Sequence, residues 1–186
     1  MFLLQMAGRS GAGKSSVAAG VAKATGAVVL DLDVLKSTAL DVGVEWNVAG
    51  RLAYEGVWAV AESLLGQGFH VICDSPCRFE NIVTQTMALA ERKGAAYGFV
   101  ECVTSDRNEL DRRLRSRPRR RSQVVDLTAT SADAPRDSEL VRRIQGGDDT
   151  IWATIYPPTP WLQLDTTEPL ETTVEKALAY LAERQA

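Results

Sequence analysis

The sequence has little of what disulfide frameworks, zinc sites and membrane spans require. It contains three cysteines, Cys73, Cys77 and Cys102, with no Cys-x-x-Cys pair, and His70 is its one histidine. This set fits neither a disulfide framework nor a structural zinc site, so we expect buried thiols and a histidine at the start of a strand. The apolar runs fall short of the roughly 20 residues of a membrane helix, and no basic start with a cleavage site is present. These absences predict a cytoplasmic protein.

An excess of positive charge is also absent. The 21 lysines and arginines face 24 acidic residues, which leaves a formal charge of −3, and the pI is near 5.3. Such a balance argues against a protein that coats nucleic acid or an anionic membrane, and it requires any cationic site to be local. The 186 residues, 45% of them apolar, are enough for one core. We therefore expect a single domain over residues 1–186.

Strand patterns and helix patterns alternate along the chain. Continuous apolar runs predict five buried strands, at 2–7, 27–31, 70–74, 97–103 and 161–165. Helical spacing predicts helices at 14–24, 47–65, 79–93 and 168–184, another that begins near Val34, and an arginine-rich one behind a capping box of Asp106 and Glu109. This alternation predicts a three-layer α/β/α fold. Its five-stranded parallel sheet is covered on both sides and binds ligands at the carboxyl ends of the strands.

One motif carries most of the chemistry. Residues 8–15, GRSGAGKS, match the phosphate-loop pattern GxxxxGK[ST] between the first predicted strand and the first predicted helix. In such a loop the backbone N–H groups and the helix amino terminus bind phosphate oxygens, Lys14 reaches the β and γ phosphates, and Ser15 coordinates Mg²⁺. This predicts a P-loop NTPase fold. The predicted nucleotide-binding residues of the loop are Gly8, Gly11, Ala12, Gly13, Lys14, Ser15 and Ser16.

Three aspartates follow the second and third predicted strands. Asp31 and Asp33 belong to LDLD, and Asp74 ends VICD. Asp31 and Asp33 face one cleft if the strand ends between them, which we favour, and opposite sides if it continues; one of them also suits the cap of the next helix. Asp74 stands where a Walker B carboxylate supports the metal, or it faces an acceptor with Ser75 and Arg78. The NKxD, DxxG and LSGGQ motifs are missing, which argues against a regulatory GTPase and an ABC protein.

Positive charge is concentrated in one segment. Residues 107–121 hold eight arginines and two acidic residues, a net +6, so the rest of the chain carries −9 of the total of −3. Guanidinium groups that close over a transferring phosphoryl group stabilise its developing charge. We predict an arginine-rich lid over about 107–150, with several of the arginines on a solvated face. Its flank at 122–137 is polar and predicted to be mobile, before a short helix at 138–144.

Together these segments resemble the small P-loop kinases of metabolites and antibiotics, a group that contains shikimate kinase, chloramphenicol phosphotransferase, zeta-type toxins and polynucleotide 5′-kinases. The resemblance covers most of the chain and rests on GRSGAGKSS, LDLD, VICD, RLRSRP at 113–118 and LQLDTTEP at 162–169. It implies that Asp31 holds Mg²⁺ through water and that Asp33 accepts the proton of the acceptor hydroxyl. It also implies that Arg117 is the catalytic lid arginine, that Arg113 stacks on the base, and that Asp165 lies in the adenine-side loop.

The resemblance places the second substrate near residues 34–60. The mixture of charged, polar and aromatic side chains in this segment suits a polar acceptor with an apolar or ring face. The predicted acceptor-binding residues are Asp33, Lys36, Trp46, Arg51, Tyr54 and Arg78. Because the Gly-Gly-Gly and the carboxylate-binding arginine of shikimate kinase are missing, shikimate is not expected. We predict ATP-dependent transfer of the γ-phosphoryl group to a hydroxyl of an antibiotic, nucleoside or sugar-like molecule, with Mg²⁺. The alternatives are a polynucleotide 5′-hydroxyl or nucleotide-sugar kinase and, in another class, an ATP-binding regulator without a small acceptor.

Overall fold

The computed structural model describes residues 1–136 and 139–185. Its strands are β1 (Phe2–Ala7), β2 (Val28–Asp31), β3 (Val71–Asp74), β4 (Ala96–Val103) and β5 (Leu162–Asp165). Its helices are α1 (Lys14–Thr25), α2 (Leu32–Asp41), α3 (Trp46–Gly66), α4 (Glu80–Arg92), α5 (Arg107–Ser116), α6 (Glu139–Gln145) and α7 (Leu170–Gln185), with a 3₁₀ turn at Asp149–Trp152. The five strands form one parallel sheet in the order β2-β3-β1-β4-β5. The predicted five-stranded parallel sheet is confirmed.

Helices cover both faces of the sheet because side chains alternate along its central strand. In β1, Phe2, Leu4 and Met6 are buried in a cluster with α1 and α7. Leu3, which points the other way, is buried in a cluster with α3 and α4. All six residues of β1 are buried, which explains why the strand is apolar except for Gln5 and does not alternate between apolar and polar residues. The predicted three-layer α/β/α architecture is confirmed.

The end of β2 decides where its aspartates point. Asp31 is the last residue of β2, and α2 begins at the next residue, Leu32, slightly before the predicted start near Val34. The Asp31 carboxylate accepts hydrogen bonds from the N–H groups of Asp33 and Val34, at 2.8 and 3.3 Å, and so caps the helix. The strand therefore ends between the two aspartates, as favoured from the sequence.

The predicted capping box at the start of α5 is half formed. Asp106 accepts hydrogen bonds from the N–H groups of Asn108 and Glu109 and caps the helix as predicted. In the described part of the chain, however, the Glu109 carboxylate pairs with the guanidinium groups of Arg112 and Arg113 instead of returning to Asp106. The predicted return bond from Glu109 to Asp106 is replaced because a charged guanidinium binds a carboxylate more strongly than a neutral N–H does.

The flank of the predicted lid is irregular. Residues 122–136 contain neither helix nor strand, while Asp137 and Ser138, at the boundary between the predicted flank 122–137 and the predicted helix 138–144, lie outside the described residues. The irregular segment is nevertheless held by polar contacts, since Arg121 donates to both carboxylate oxygens of Asp133 at 2.7 and 2.8 Å. Its mobility stays a prediction.

The three cysteine thiols and the histidine imidazole have structural roles in the fold. Cys73, Cys77 and Cys102 are free and buried, as predicted, and burial raises the pKa of each thiol to about 12. His70 lies just before β3, where its Nδ1 accepts a hydrogen bond from the N–H of Phe2 at 3.0 Å and its ring stacks on the phenyl ring. Among the helices of the described ranges, none is long and apolar enough to cross a membrane.

Gly8→Ala tests the close approach of the loop after β1 to β4. Gly8 has φ of +118°, and an added Cβ would collide with the carbonyl oxygen of Cys102. Since both the backbone angle and the contact oppose a side chain, we expect the free energy of unfolding to fall by roughly 2–4 kcal/mol in urea denaturation. Gly66→Ala is the matched control, because a Cβ there, at the end of α3, meets no atom within 4 Å. Equal urea midpoints for the two variants would contradict this account.

Candidate active site

A cavity of about 1310 Å³ opens at the carboxyl ends of β1, β2 and β3. The phosphate loop lines one part of it with Ser10, Gly11, Gly13, Lys14, Ser15 and Ser16. The three predicted aspartates line it as well, together with all of the predicted acceptor residues, namely Asp31, Asp33, Asp74, Lys36, Trp46, Arg51, Tyr54 and Arg78. The parallel sheet thus brings segments that are far apart in the sequence to one edge.

The phosphate loop has the backbone that its glycines permit. Gly11 and Gly13 have φ of 84° and 85°, in the left-handed region, and α1 begins directly after Gly13. The Ser16 N–H donates to the carbonyl oxygen of Gly13 at 3.1 Å, while the first N–H groups of α1, those of Lys14 and Ser15, receive no side-chain cap and are placed for an anion. The Lys14 Nζ donates to the carbonyl oxygens of Gly8 and Arg9, each at 3.0 Å, and so lies over the loop.

Two predicted nucleotide residues shape the loop from beneath. Gly8 and Ala12 are not among the residues that line the cavity. Gly8 lies against the backbone of Cys102, and the Ala12 side chain is fully buried while its carbonyl oxygen accepts a hydrogen bond from the Thr166 hydroxyl at 3.0 Å. Packing therefore explains why both residues are small, and their role in nucleotide binding stays a prediction.

Asp31, Asp74 and Ser15 form a group of oxygen atoms at the end of the sheet. Asp31 pairs with Asp74 in the register of β2 and β3. Burial raises the pKa of Asp74, a nearby Lys14 and a hydrogen bond from Ser15 lower it, and Asp31 and Asp33 raise it again. Burial and the charge of Asp33 also raise the pKa of Asp31. Carboxylate and hydroxyl oxygens are ligands that Mg²⁺ prefers, and a cation would offset the repulsion between the carboxylates, so these residues fit that ion.

Asp33 is held by two residues that the sequence did not single out. Its Oδ1 accepts a hydrogen bond from the Ser122 hydroxyl at 3.1 Å, and its Oδ2 accepts one from the Gln123 amide at 2.8 Å. Ser122 also exchanges hydrogen bonds with Ser37 of α2 at 3.0 Å, so the lid flank lies against α2. The only sequence signal for this pair was its position directly behind the arginine run.

Arg117 of the predicted lid has a guanidinium with few protein contacts near Asp33. It lines the cavity, its Nη2 reaches the carbonyl oxygen of Val124 at 3.4 Å, and its buried Nε has no hydrogen-bond partner among the described residues. Burial lowers the pKa of Arg117, and the charge of Asp33 raises it. By contrast, Arg112 and Arg115 are exposed and paired with acids of their own helix, which matches the predicted solvated face.

Arg113 and Asp165 are placed differently from one another. Arg113 lines the cavity, but its Nε pairs with Glu109 at 2.7 Å and its Nη atoms donate to the hydroxyl and carbonyl of Thr166 at 2.9 and 2.8 Å. Asp165 does not line the cavity, since its Oδ1 accepts from the N–H and hydroxyl of Thr167. Thr166 and Glu168 are the residues of the loop after β5 that line the cavity, and the adenine-side role of this loop stays a prediction.

The acceptor half of the cavity combines aromatic rings and cations. The Lys36 Nζ lies 3.5 Å from the centre of the Trp46 ring, and Tyr54 donates to the carbonyl oxygen of Pro76 at 3.3 Å. Burial lowers the pKa of Lys36 to about 8, although Asp33 opposes the shift. This half can hold a molecule with a flat or apolar face and polar substituents.

Trp152, which the sequence did not indicate, lies between Arg9 of the phosphate loop and Arg78 of the cavity. Its ring centre is 5.5 Å from the Cζ of Arg9 in the phosphate loop and 5.3 Å from the Cζ of Arg78 beside β3. Asp149, in the same 3₁₀ turn, pairs with Arg9 at 3.3 Å and with Arg107 at 2.6 Å. The turn therefore links the phosphate loop to the start of α5.

Comparisons with known proteins bear on the fold. A family model described as an AAA domain matches residues 3–138. The search of curated proteins found no significant match. Among solved structures, a sugar kinase from Janibacter sp. HTCC2649 is similar, with 18% identity, a TM-score of 0.63 and coverage of 98% of this chain and 95% of that chain.

Two further solved structures are similar over nearly their whole length. The APS kinase CysC of Mycobacterium tuberculosis, in complex with AMPPNP and APS, has 20% identity and a TM-score of 0.61 over 97% of each chain. A gluconokinase from Sinorhizobium meliloti 1021 has 18% identity and a TM-score of 0.61 over 98% of this chain and 92% of that chain. At this identity the structures establish the P-loop kinase fold, while the narrower resemblance to chloramphenicol phosphotransferase and zeta-type toxins stays a prediction. Because the family model matches residues 3–138, well over half of the 186 residues, the chain belongs to the family of AAA domains.

Proposed function

We propose that the protein is an ATP-dependent phosphotransferase that moves the γ-phosphoryl group to a hydroxyl group of a small molecule. The observation that carries the proposal is one cavity with a phosphate loop in one half and an aromatic, cationic pocket in the other. Asp33 interacts electrostatically with Asp74 of the first half and with Lys36 and Arg78 of the second. A carboxylate in this position suits a reaction in which the two halves hold two substrates.

The names of similar structures support this class of reaction. Two of them are described as a sugar kinase and a gluconokinase, and a third was solved with the ATP analogue AMPPNP. We therefore propose that ATP occupies the phosphate loop, where the N–H groups of the loop and of the first turn of α1 bind its phosphates and Lys14 contacts the β and γ phosphates. Arg113 and Thr166 border the base side of the same site.

Mg²⁺ has a suitable place in this arrangement. Ser15 would hold the ion together with Asp31 and Asp74, whose carboxylates lie opposite each other at the ends of β2 and β3. When bound, the ion neutralises charge on the β and γ phosphates. We favour this role over the alternative that Asp74 serves the acceptor, because Lys14 and Ser15 of the phosphate loop are the groups that lower the pKa of Asp74.

The proposed transfer needs a proton acceptor and a cation beside the phosphoryl group. The acceptor oxygen forms a bond to the γ-phosphorus, the bond from that phosphorus to the β–γ bridging oxygen breaks, and ADP leaves. Asp33 accepts the hydroxyl proton and orients the attacking oxygen. Arg117, whose Nε is free of protein partners in the described chain, stabilises the charge on the transferred group.

The decisive experiment is transfer of labelled γ-phosphate from Mg·ATP to a panel of hydroxyl compounds, with the products identified by mass spectrometry. The panel includes amphenicols, aminoglycosides, nucleosides, sugars, UDP-sugars and a 5′-hydroxyl oligonucleotide. A labelled small molecule supports the proposal and names the acceptor class. Labelling of the oligonucleotide or the UDP-sugar alone supports the polynucleotide or nucleotide-sugar alternative. Tight ATP binding with no labelled product points to a regulator.

Lys14→Ala tests the phosphate loop. Because the ammonium group contacts the phosphates directly, we expect ATP affinity to fall and turnover to drop by about 10²-fold or more. ATP binding by titration calorimetry and transfer by label incorporation measure the two effects. Lys23→Ala, an exposed lysine of the same helix, is the control and should match the wild type. Full activity of Lys14→Ala would overturn the loop assignment.

Asp33→Asn tests the proton acceptor. The amide keeps the size of the side chain but cannot take a proton, so we expect near-normal ATP affinity and transfer lowered by roughly 10²–10⁴-fold. Asp41→Asn controls for a loosened lid, since Asp41 lies at the end of α2 and contacts Arg121 at 3.5 Å. If Asp33→Asn lost ATP affinity while keeping its rate per bound ATP, Asp33 would be a metal or structural residue.

A further inference from the structure

Arg78 is a cation of the cavity without an anionic partner. Its side chain lines the acceptor half, and its buried Nε has no hydrogen-bond acceptor among the described residues. No carboxylate in residues 1–136 or 139–185 lies within 4 Å of it; the side-chain contact that the structure shows is the face of Trp152. Burial lowers the pKa of Arg78, which reports the cost of holding this charge away from water. A fold that keeps an uncompensated guanidinium inside a cavity leaves it for a ligand.

The aspartates of the cavity are engaged elsewhere. Asp31 caps α2 with one oxygen, and Asp74 lies opposite Asp31 in the sheet, where Lys14 and Ser15 of the phosphate loop lower its pKa. Asp33 acts on Arg78 through space, but both of its oxygens already accept hydrogen bonds from the lid flank, at 3.1 and 2.8 Å. The charge of Arg78 is therefore influenced by these groups without being paired by any of them.

The backbone around Arg78 is fixed before any ligand binds. The residues just before it are tied down from two sides, because Tyr54 donates to the carbonyl of Pro76 and the N–H of Ile155 donates to the carbonyl of Cys77 at 2.8 Å. The Cys77 side chain is buried in the cluster between β4 and α4. A cation on so fixed a loop binds an anion without first losing conformational freedom.

We infer that the acceptor carries an oxyanion group that the Arg78 guanidinium binds, which makes the substrate class an anionic hydroxy compound. This inference rests on the proposed function and narrows its acceptor. A guanidinium presents paired N–H donors that match two oxygens of a carboxylate, sulfonate or phosphate group. The Trp46 and Trp152 rings of the same cavity suit a flat frame between that group and the reacting hydroxyl.

Lys36 provides a second cation for the same half. Its ammonium lies over Trp46, and the charge of Arg78 contributes to its lowered pKa, so the two cations are close enough to interact. An anion bound between them would relieve that repulsion. The acceptor half therefore favours a negatively charged molecule over a neutral or basic one.

The test uses four benzyl alcohols that carry, opposite the hydroxymethyl group, a carboxylate, a sulfonate, a phosphonate or a neutral carboxamide. Each is titrated into the full-length protein saturated with Mg·AMPPNP, with tryptophan fluorescence and calorimetry as readouts, and each is then tested as a phosphoryl acceptor with Mg·ATP. The variants are Arg78→Gln and Arg78→Lys. Arg92→Gln, at the far end of α4, is the control.

We expect at least one of the three anions to bind about 10-fold or more tightly than the carboxamide, and Arg78→Gln to remove that advantage. Arg78→Lys should retain part of it, and Arg92→Gln all of it. The preferred anion identifies the group on the acceptor. Unchanged AMPPNP affinity shows that Arg78→Gln is folded. If Arg78→Gln does not fold, comparison of the binding of the four compounds to wild type and to Arg78→Lys still tests whether Arg78 binds the anionic group.

Three results would overturn the inference. They are equal binding of the anions and the carboxamide, equal anion binding by wild type and Arg78→Gln, and displacement of AMPPNP by the anions, which would assign Arg78 to the nucleotide. Failure of the proposed function looks different: the anions bind through Arg78, yet neither they nor any compound of the hydroxyl panel receives a phosphoryl group. Transfer to the carboxamide at the rate of the anions counts against this inference alone.

Discussion

The register between β2 and β3 is the constraint on which the site depends. Asp31 lies opposite Asp74, and both strands end there, so the two carboxylates reach the cavity beside the phosphate loop that follows β1. Because side chains alternate along a strand, a slip of one residue would turn Asp31 toward the opposite face and move the start of α2 with it. The helix cap reinforces the register, since Asp31 both ends the strand and accepts the first hydrogen bonds of α2.

The parts of the structure that were predictable from the sequence are those with a local pattern. The buried strands are continuous apolar runs, and the phosphate loop needs only eight consecutive residues between a strand and a helix, so both were found with their boundaries nearly correct. The order of the strands and the contacts between irregular segments have no such signature. The hydrogen bond between Asp33 and Gln123 joins residues that are 90 positions apart in the sequence. Gln123 lies in an irregular segment without a periodic pattern, so the sequence contains no signal that predicts this contact.

Other differences have equally physical origins. The loop after β5 was correctly placed, but the turn formed by Asp165 and Thr167 directs that carboxylate into its own backbone and leaves Thr166 to face the cavity. Gly8 and Ala12 belong to the phosphate motif, yet the first is required by the nearby carbonyl of Cys102 and the second by burial. A motif identifies which residues must be small without saying which of them touch the ligand.

Under the proposed function, the hydrogen bonds that Asp33 accepts also affect the competition between water and the acceptor hydroxyl group. In the structure Ser122 and Gln123 each donate to one oxygen of Asp33, so part of the acceptor capacity of the carboxylate is used and each oxygen keeps a further acceptor position. Under the proposed function, a hydroxyl compound that fills the neighbouring pocket takes one of these remaining positions in place of water. Water lacks the other contacts that the pocket offers to such a compound. Under that proposal, the two donors of residues 122 and 123 fix the orientation of the carboxylate, and the contacts of the pocket decide which hydroxyl group reaches it.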